Sequence, residues 1–434
     1  MRPSRHLIYL LLAWGLVALA TAFEPALEGP LLAVSVTIAL AILIDALVVK
    51  GEPQLRIERD VSHNLPLGVW SKVELRIYNS GSRNYKLSVF DHHPQNASID
   101  GLPHNFILPP GQYANMVYRI LPTCRGDAHF TGTEIECRSR LGLWRRYRLF
   151  TLDETIKVYP NFSEVSKYSL LSTDNQLGQL GIRRQQQRGE GLEFHQLREY
   201  RAGDTLRQID WKATARLRKP ISREYQVERD QQLIFLLDCS RRMRSEDNGI
   251  KHFDQTLNAL LLLSYEALRQ GDSVGFITFG GQQRYFAPQK GQQAVNRILN
   301  QVYDLETTTH TADYTAVASE LLKRQRKRSL VVVLTNMRDE DQDELRQMLT
   351  LLRSRHLVLI ANLRESILDH TSNTTINNFE QALRYAATRD YQSRRGQAHT
   401  LITKMGALAL DVTAEQLPIS LVNRYSDIKR SGRL

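Results

Sequence analysis

Two nearly uninterrupted apolar runs, Leu7 to Phe23 and Leu31 to Val49, constrain this 434-residue chain more than anything else in it. At about 1.5 Å of rise per residue, each spans roughly 26–28 Å as a helix, enough to cross a hydrocarbon core. In lipid such a run must satisfy its own backbone hydrogen bonds, which a helix does. A short connector carrying Glu24 and Glu28 separates the runs, so a membrane hairpin is expected over residues 1–50. Arg2, Arg5 and His6 precede the first run and Lys50 follows the second. Positive flanks stay inside, which places both termini and all residues after Lys50 in the cytosol. Ala20-Thr21-Ala22 resembles a signal-peptide cleavage site. Cleavage there would leave the second run as a stop-transfer helix with the same side facing the cytosol. Asp45, near the cytosolic end of the second run, reads as a charge tolerated because it reaches the interface rather than as a proton relay.

The rest has the composition of a globular protein, and its length suggests two or three domains. The net charge of +11 belongs to the soluble part, because Arg2, Arg5 and Lys50 cancel Glu24, Glu28 and Asp45. Its densest cluster, Lys323 to Arg328, sits between a helical pattern and a strand and reads as a solvated helix end. Cys124, Cys137 and Cys239 fit no zinc spacing and leave an odd thiol in any disulfide scheme, so reduced thiols are expected.

Residues 52–160 alternate polar and apolar in short stretches: 72–78, 86–90, 115–120, 134–138 and 155–159. Turn signals such as Asn79-Ser80-Gly81 and Pro109-Pro110-Gly111 separate them. This predicts an all-β, immunoglobulin-like antiparallel sandwich. His92, His93 and His104 have no acidic partner at ligand spacing and read as surface histidines. Residues 161–190, ending in Arg183-Arg184-Gln185-Gln186-Gln187-Arg188-Gly189, read as a polar linker.

From residue 191 the chain becomes dense in charge, nearly balanced in sign, and then runs into the apolar Leu233–Leu237 closed by Asp238. Balance argues for a salt-linked structural or docking surface rather than a nucleic-acid stripe. Beyond it, strand and helix patterns alternate. Strands are expected at 233–238, 274–279, 330–334, 357–361 and 407–412. Helices are expected at 251–269, around Val295 to Val302, at 315–322, around Leu345 to Leu352, at 379–389, and at 414–424 with Thr413 as N-cap. The alternation predicts a doubly wound α/β domain over 191–434, with binding loops at the carboxyl ends of its strands.

The first such loop reads Asp238-Cys239-Ser240-Arg241-Arg242-Met243. With the Gly275–Gly280 strand and the Thr311–Thr315 loop, it resembles a von Willebrand factor A-type domain. That resemblance implies a magnesium site built from Asp-x-Ser-x-Ser, a later Thr and a later Asp. Asp238 and Ser240 match, and Thr315 or Thr311 can match. Arg242 stands at the second serine and Asn336 at the late aspartate, with Asp339 and Asp341 out of register. Magnesium needs hard anionic oxygens, so this degenerate site (Asp238, Ser240, Arg242, Thr315, Asn336) is expected to hold no metal. Arg242 could pair with Asp238 in its stead. Cys239 is expected to be a packing residue.

The preceding stretch resembles the bacterial domain of unknown function 58 family. The residues that carry it are Arg198, Glu199, Tyr200, Gly203, Asp204, Arg207, Asp210, Trp211, Lys212, Arg216, Arg223 and Glu224. The resemblance implies an inner-membrane protein encoded beside a MoxR-type AAA+ ATPase, with no established enzymatic activity. The expected function is thus a non-enzymatic membrane scaffold without cofactor or nucleic acid, the signature residues fastening the segment to the sheet or docking a partner. The competing expectation is a hydrolase using Glu193, His195, Glu199, Asp204 and Asp210, which requires them to converge on a pocket.

Overall fold

The computed structural model describes residues 1–21, 28–51, 53–161, 193–201, 206, 209–226, 231–247 and 249–433. They form two compact units, Met1–Tyr159 and Pro160–Leu434. All but the first residue of the 161–190 linker lies outside the described residues. The expected hairpin segment and sandwich, read above as separate domains, are one unit.

That unit begins with two helices, α1 (Arg5–Thr21) and α2 (Glu28–Lys50). Gly29–Val48 within α2 is long and apolar enough to cross a membrane, whereas α1 contributes the shorter apolar stretch Arg5–Leu19. The Trp14 indole nitrogen donates to the Ser35 hydroxyl at 3.0 Å, joining the two helices at mid-length.

Behind them two sheets enclose one core. Leu55–Val61, Ser71–Asn79, Tyr113–Pro122 and Ala97–Asp100 form one sheet; Arg2–Pro3, Trp144–Tyr159, Gly126–Arg138, Tyr85–His92 and His104–Leu108 form the other. Alternate residues such as Val73, Leu75 and Ile77 face Leu87, Val89 and Ile135 in the buried interior, as strand periodicity requires. The sandwich is not wholly antiparallel, because Asn64–Pro66 pairs parallel to Lys157–Tyr159.

A feature without sequence signature lies in this core. Arg59 and Asp91 pair with their side chains almost fully shielded, the guanidinium Nε donating at 3.0 Å. Tyr118 donates to the same carboxylate at 2.6 Å and Thr133 at 2.8 Å, and Arg59 reaches the Leu152 carbonyl at 2.7 Å. Burial, followed by the charge of Asp91, pushes the Tyr118 hydroxyl far above its ordinary pKa, so it stays a donor. His92 also departs from expectation: it meets the Glu134 carboxylate at 3.2 Å, an acidic partner supplied by the neighbouring strand.

The second unit is built on a six-stranded sheet in the order Tyr285–Gln289, Ser273–Phe279, Gln232–Asp238, Leu330–Thr335, Leu357–Arg364, Leu408–Thr413. Only Tyr285–Gln289 runs antiparallel. Leu233, Phe235 and Leu237 pack under one set of helices and Ile234 and Leu236 under the other, giving a core on both faces.

Three local expectations need correction. The antiparallel edge strand escaped notice because Pro288 demotes a strand, and an edge position tolerates it. Gly275 makes room for this neighbour, since a Cβ there would stand 2.7 Å from the Phe286 carbonyl oxygen. The helix expected at 379–389 continues as Phe379–Lys404; its second half buries only Arg395, Ala398 and Ile402, too sparse a stripe to read as periodicity. Thr413 ends a strand instead of capping a helix. The last helix, Leu417–Arg430, starts after Gln416 with Pro418 in its first turn.

Arg59→Met should cost the first unit about 3–5 kcal/mol in denaturant titration, because Asp91 is left as an uncompensated buried charge.

Candidate functional site

The signature stretch folds into a small module of its own. Glu193–Glu199 and Ile221–Gln226 form a two-stranded antiparallel sheet, with the short helix Trp211–Leu217 between them. The helix starts where it does because Asp210 caps it, one carboxylate oxygen accepting from the Ala213 amide at 3.0 Å. The other oxygen takes the Arg223 Nε at 2.9 Å from the second strand. Those two bonds, the Ala213 amide first and Arg223 second, hold the Asp210 carboxyl below its ordinary pKa. The helix end is fixed by Arg218 in the left-handed region (φ 52°) and by the Thr214 hydroxyl, which accepts from the Ile221 amide at 3.0 Å.

Asp210, Arg223 and the helix start thus converge, and Lys219 meets Glu199 at 3.1 Å on the surface. Arg198 donates to the Glu199 carbonyl at 3.2 Å, and the Tyr200 amide donates to the Pro220 carbonyl at 2.9 Å. Lys212 and Arg216 are exposed on the helix. Gly203, Asp204 and Arg207 lie outside the described residues, as do the side chains of Glu193, His195 and Glu224. The Asp210–Arg223 pair fastens the start of the helix to the second strand of the module. Trp211 is 69% exposed, and Leu206 and Leu217 are exposed too, as are the charged Lys212 and Arg216.

At the carboxyl end of the large sheet, the Gln232–Asp238 strand delivers Asp238 into complete burial. Its Oδ1 accepts from the Ser240 amide at 2.8 Å and its Oδ2 from the Thr335 hydroxyl at 2.6 Å. The Tyr314 hydroxyl lies 2.8 Å from that of Thr335, extending the chain of hydrogen bonds to the neighbouring helix. Desolvation raises the Asp238 carboxyl pKa, with Thr335 and Ser240 opposing it. Gly280 is pressed against this loop with φ +71°, and a Cβ there would meet Ser240 at 2.9 Å. Thr308 closes the far side, its amide donating to the Cys239 carbonyl at 2.8 Å and its hydroxyl to that of Gly280 at 2.6 Å. Cys239 is buried.

The remaining expected ligands do not gather around Asp238. Arg242 pairs with Asp341 and with Glu340, the latter at 3.1 Å, so the guanidinium turns to these acids in place of Asp238. Thr315 approaches Gln347 at 3.4 Å, and the Asn336 amide nitrogen donates to Glu365 at 2.8 Å. Among the described residues, no hydrogen-bond partner meets the buried Ser240 hydroxyl or the buried Asn336 amide oxygen. Two neutral oxygens and one carboxylate already engaged on both sides, beside a guanidinium, do not fit a divalent cation. Among the described residues, no group of three His, Cys, Asp or Glu is placed to hold a metal.

Sequence reasoning missed the neighbouring lock. Buried Arg395 holds Asp411 at 2.7 Å and the Met337 carbonyl at 3.2 Å, tying the long helix to two strand ends. The Met337 amide donates to the Asn362 side chain at 2.7 Å. The available signal was one of four arginines in this helix, and nothing in the sequence distinguishes Arg395 from Arg384, Arg389 and Arg394.

The fold defines a class: a doubly wound α/β domain preceded by a pair of antiparallel strands that flank a short helix capped by Asp210. The family described as "Protein of unknown function DUF58" matches residues 196–405 of the chain. Over 184 residues the chain is 26% identical to the uncharacterized protein YeaD of Bacillus subtilis (strain 168). That alignment takes in 42% of this chain and 44% of YeaD, so the chain spans less than half the length of this relative. A crystal structure of an aerotolerance-related membrane protein from Bacteroides fragilis NCTC 9343, with multiple mutations to serines, aligns with 45% of this chain and 97% of its own at 13% identity, TM-score 0.28. Native alpha-2-macroglobulin from Escherichia coli, from domain MG7 to the C-terminus, aligns with 25% and 17% at 20% identity, TM-score 0.22. At those scores neither likeness carries an argument.

Two outcomes check this geometry. Magnesium is expected to leave the melting temperature unchanged, whereas an ion bound only by the folded state would raise it. For Asp210, a carboxyl held low in the fold stabilises above its unfolded pKa, about 3.9, and that stability drains as pH falls through the folded value. Acidification below pH ~4, or Asp210→Ala at neutral pH, should therefore speed amide exchange over Trp211–Leu217 while leaving Gln232–Asp238 protected.

Proposed function

We propose that the chain is a non-enzymatic, membrane-anchored scaffold whose second unit, a von Willebrand factor A-like domain, holds a protein partner at the bacterial inner membrane. The partner of choice is a MoxR-type AAA+ ATPase acting in assembly or activation of other proteins. The observation that carries the reading is the exposed indole of Trp211 on a helix locked in place by Asp210 and Arg223. A large apolar side chain presented to water on a capped helix is the usual make-up of an interface anchor. The strand order with one antiparallel edge supports the A-type assignment, and the carboxyl-end crest supports docking without a metal bridge.

Two features support the two-pass anchor with a cytosolic body. The Arg5 end of α1 and the Asp45–Lys50 end of α2 meet the same turn of the sandwich, as the two ends of a hairpin do. Basic residues flank both helices on that side. Against the hydrolase stand the fates of its described acids: Asp210 engages both oxygens in capping and Arg223, and Glu199 pairs with Lys219.

Capture of the ATPase by the detergent-solubilised full chain in the presence of ATP tests the proposal. Trp211→Ala should weaken it roughly thirtyfold, the cost of losing an anchor worth about 2 kcal/mol. Failure of the unmodified chain to hold the ATPase sinks the reading.

A further inference from the structure

Within the first unit, the turn Ser139–Trp144 of the sandwich is fastened along the flank of α2. Asp45, only 2% exposed, accepts the Leu141 amide at 3.1 Å and the Leu143 amide at 3.3 Å. The Trp144 indole donates to the Ile42 carbonyl at 3.1 Å. From the α1 side, the Ser4 amide donates to the Leu143 carbonyl at 2.8 Å and its hydroxyl to the Gly142 carbonyl at 2.5 Å. Arg146 donates to the Lys50 carbonyl at 2.5 Å and Arg83 to that of Val48 at 3.2 Å, satisfying the carbonyls left over at the end of α2.

The positions along α2 set the depth of this turn. The apolar stretch ends at Val48, and Asp45 and Ile42 lie three and six residues earlier. At about 1.5 Å per residue they sit roughly 4.5 and 9 Å inside its end. A turn bonded to these two residues therefore reaches the level of the apolar stretch, not the water beyond it. Its composition suits that level: an indole with its N–H engaged, Leu141 exposed at the tip, and the exposed guanidinium of Arg140 adjacent. The backbone amides of the turn also supply what a carboxylate in a membrane segment requires.

We propose that the Ser139–Trp144 turn is a third membrane contact, inserting Leu141 and Trp144 into the headgroup–acyl boundary while Arg140 meets lipid phosphate. Asp45 is its anchor. The sandwich is then seated rigidly on the bilayer and not tethered above it. This rests on the reading of α2 as a membrane span, and the experiment keeps the two apart.

The full chain, carrying Cys124→Ser so that only buried native thiols remain, is reconstituted in phosphatidylcholine–phosphatidylglycerol vesicles containing spin-labelled lipid. A polarity-sensitive fluorophore is attached in turn to Leu141→Cys, to Leu40→Cys on α2 and to Ile107→Cys on the opposite edge strand. Quenching and blue-shifted emission at 141 and 40, with neither at 107, is the expected result. In Asp45→Ala the signal at 141 should be lost while that at 40 persists. Quenching at 40 without quenching at 141 overturns the proposal and leaves the span intact; absence of quenching at 40 removes the span and the proposal with it. Quenching at 141 that survives Asp45→Ala overturns the anchoring role.

Discussion

The buried carboxylate of Asp238 governs the carboxyl end of the α/β unit. Taking a carboxylate out of water is costly, and hydrogen bonds from the Ser240 amide and the Thr335 hydroxyl offset part of that cost here. The compensation has a geometric consequence. It draws the loop after the Gln232–Asp238 strand against Thr335 and, through Tyr314, against the helix Tyr314–Arg324. Gly280 and Thr308 then close over the same loop, so the crest is knit from within and Arg242 is left to pair with acids at its rim.

The same economy of charge recurs elsewhere. Asp210 joins helix cap and strand in one small element, Asp91 gathers Arg59, Tyr118 and Thr133 inside the sandwich, and Arg395 pulls strand ends onto the long helix. Loss of Asp91 or Arg395 would leave partners unpaired in low dielectric, which specifies one arrangement more strongly than apolar packing does. In the signature module Asp210 joins the helix start to the second strand, and Trp211 beside it is left largely in water.

Periodicity made most of the architecture legible. Residues such as Val73, Leu75 and Ile77 alternate because one face of their strand is buried, and Leu233–Leu237 is continuous because both faces are. The elements misread are those that escape this logic. Tyr285–Gln289 is an edge strand carrying Pro288, and the second half of Phe379–Lys404 buries too few residues to leave a stripe. The ligand-like residues of the crest were identified by position, yet their partners were not: Arg242 goes to Asp341, Thr315 to Gln347 and Asn336 to Glu365.

By itself, then, the sequence determined the order of segments, the strand and helix periods, the apolar helix at the start and the family of the signature stretch, because these depend on residues close together along the chain. Only the tertiary structure decided which charges meet. Asp45 with the turn at Leu141, Arg59 with Asp91, and Asp238 with Thr335 bring together residues 96, 32 and 97 positions apart. Pairing at such separation depends on where the backbone places each side chain and on how far water is excluded there, and neither quantity is written in local pattern.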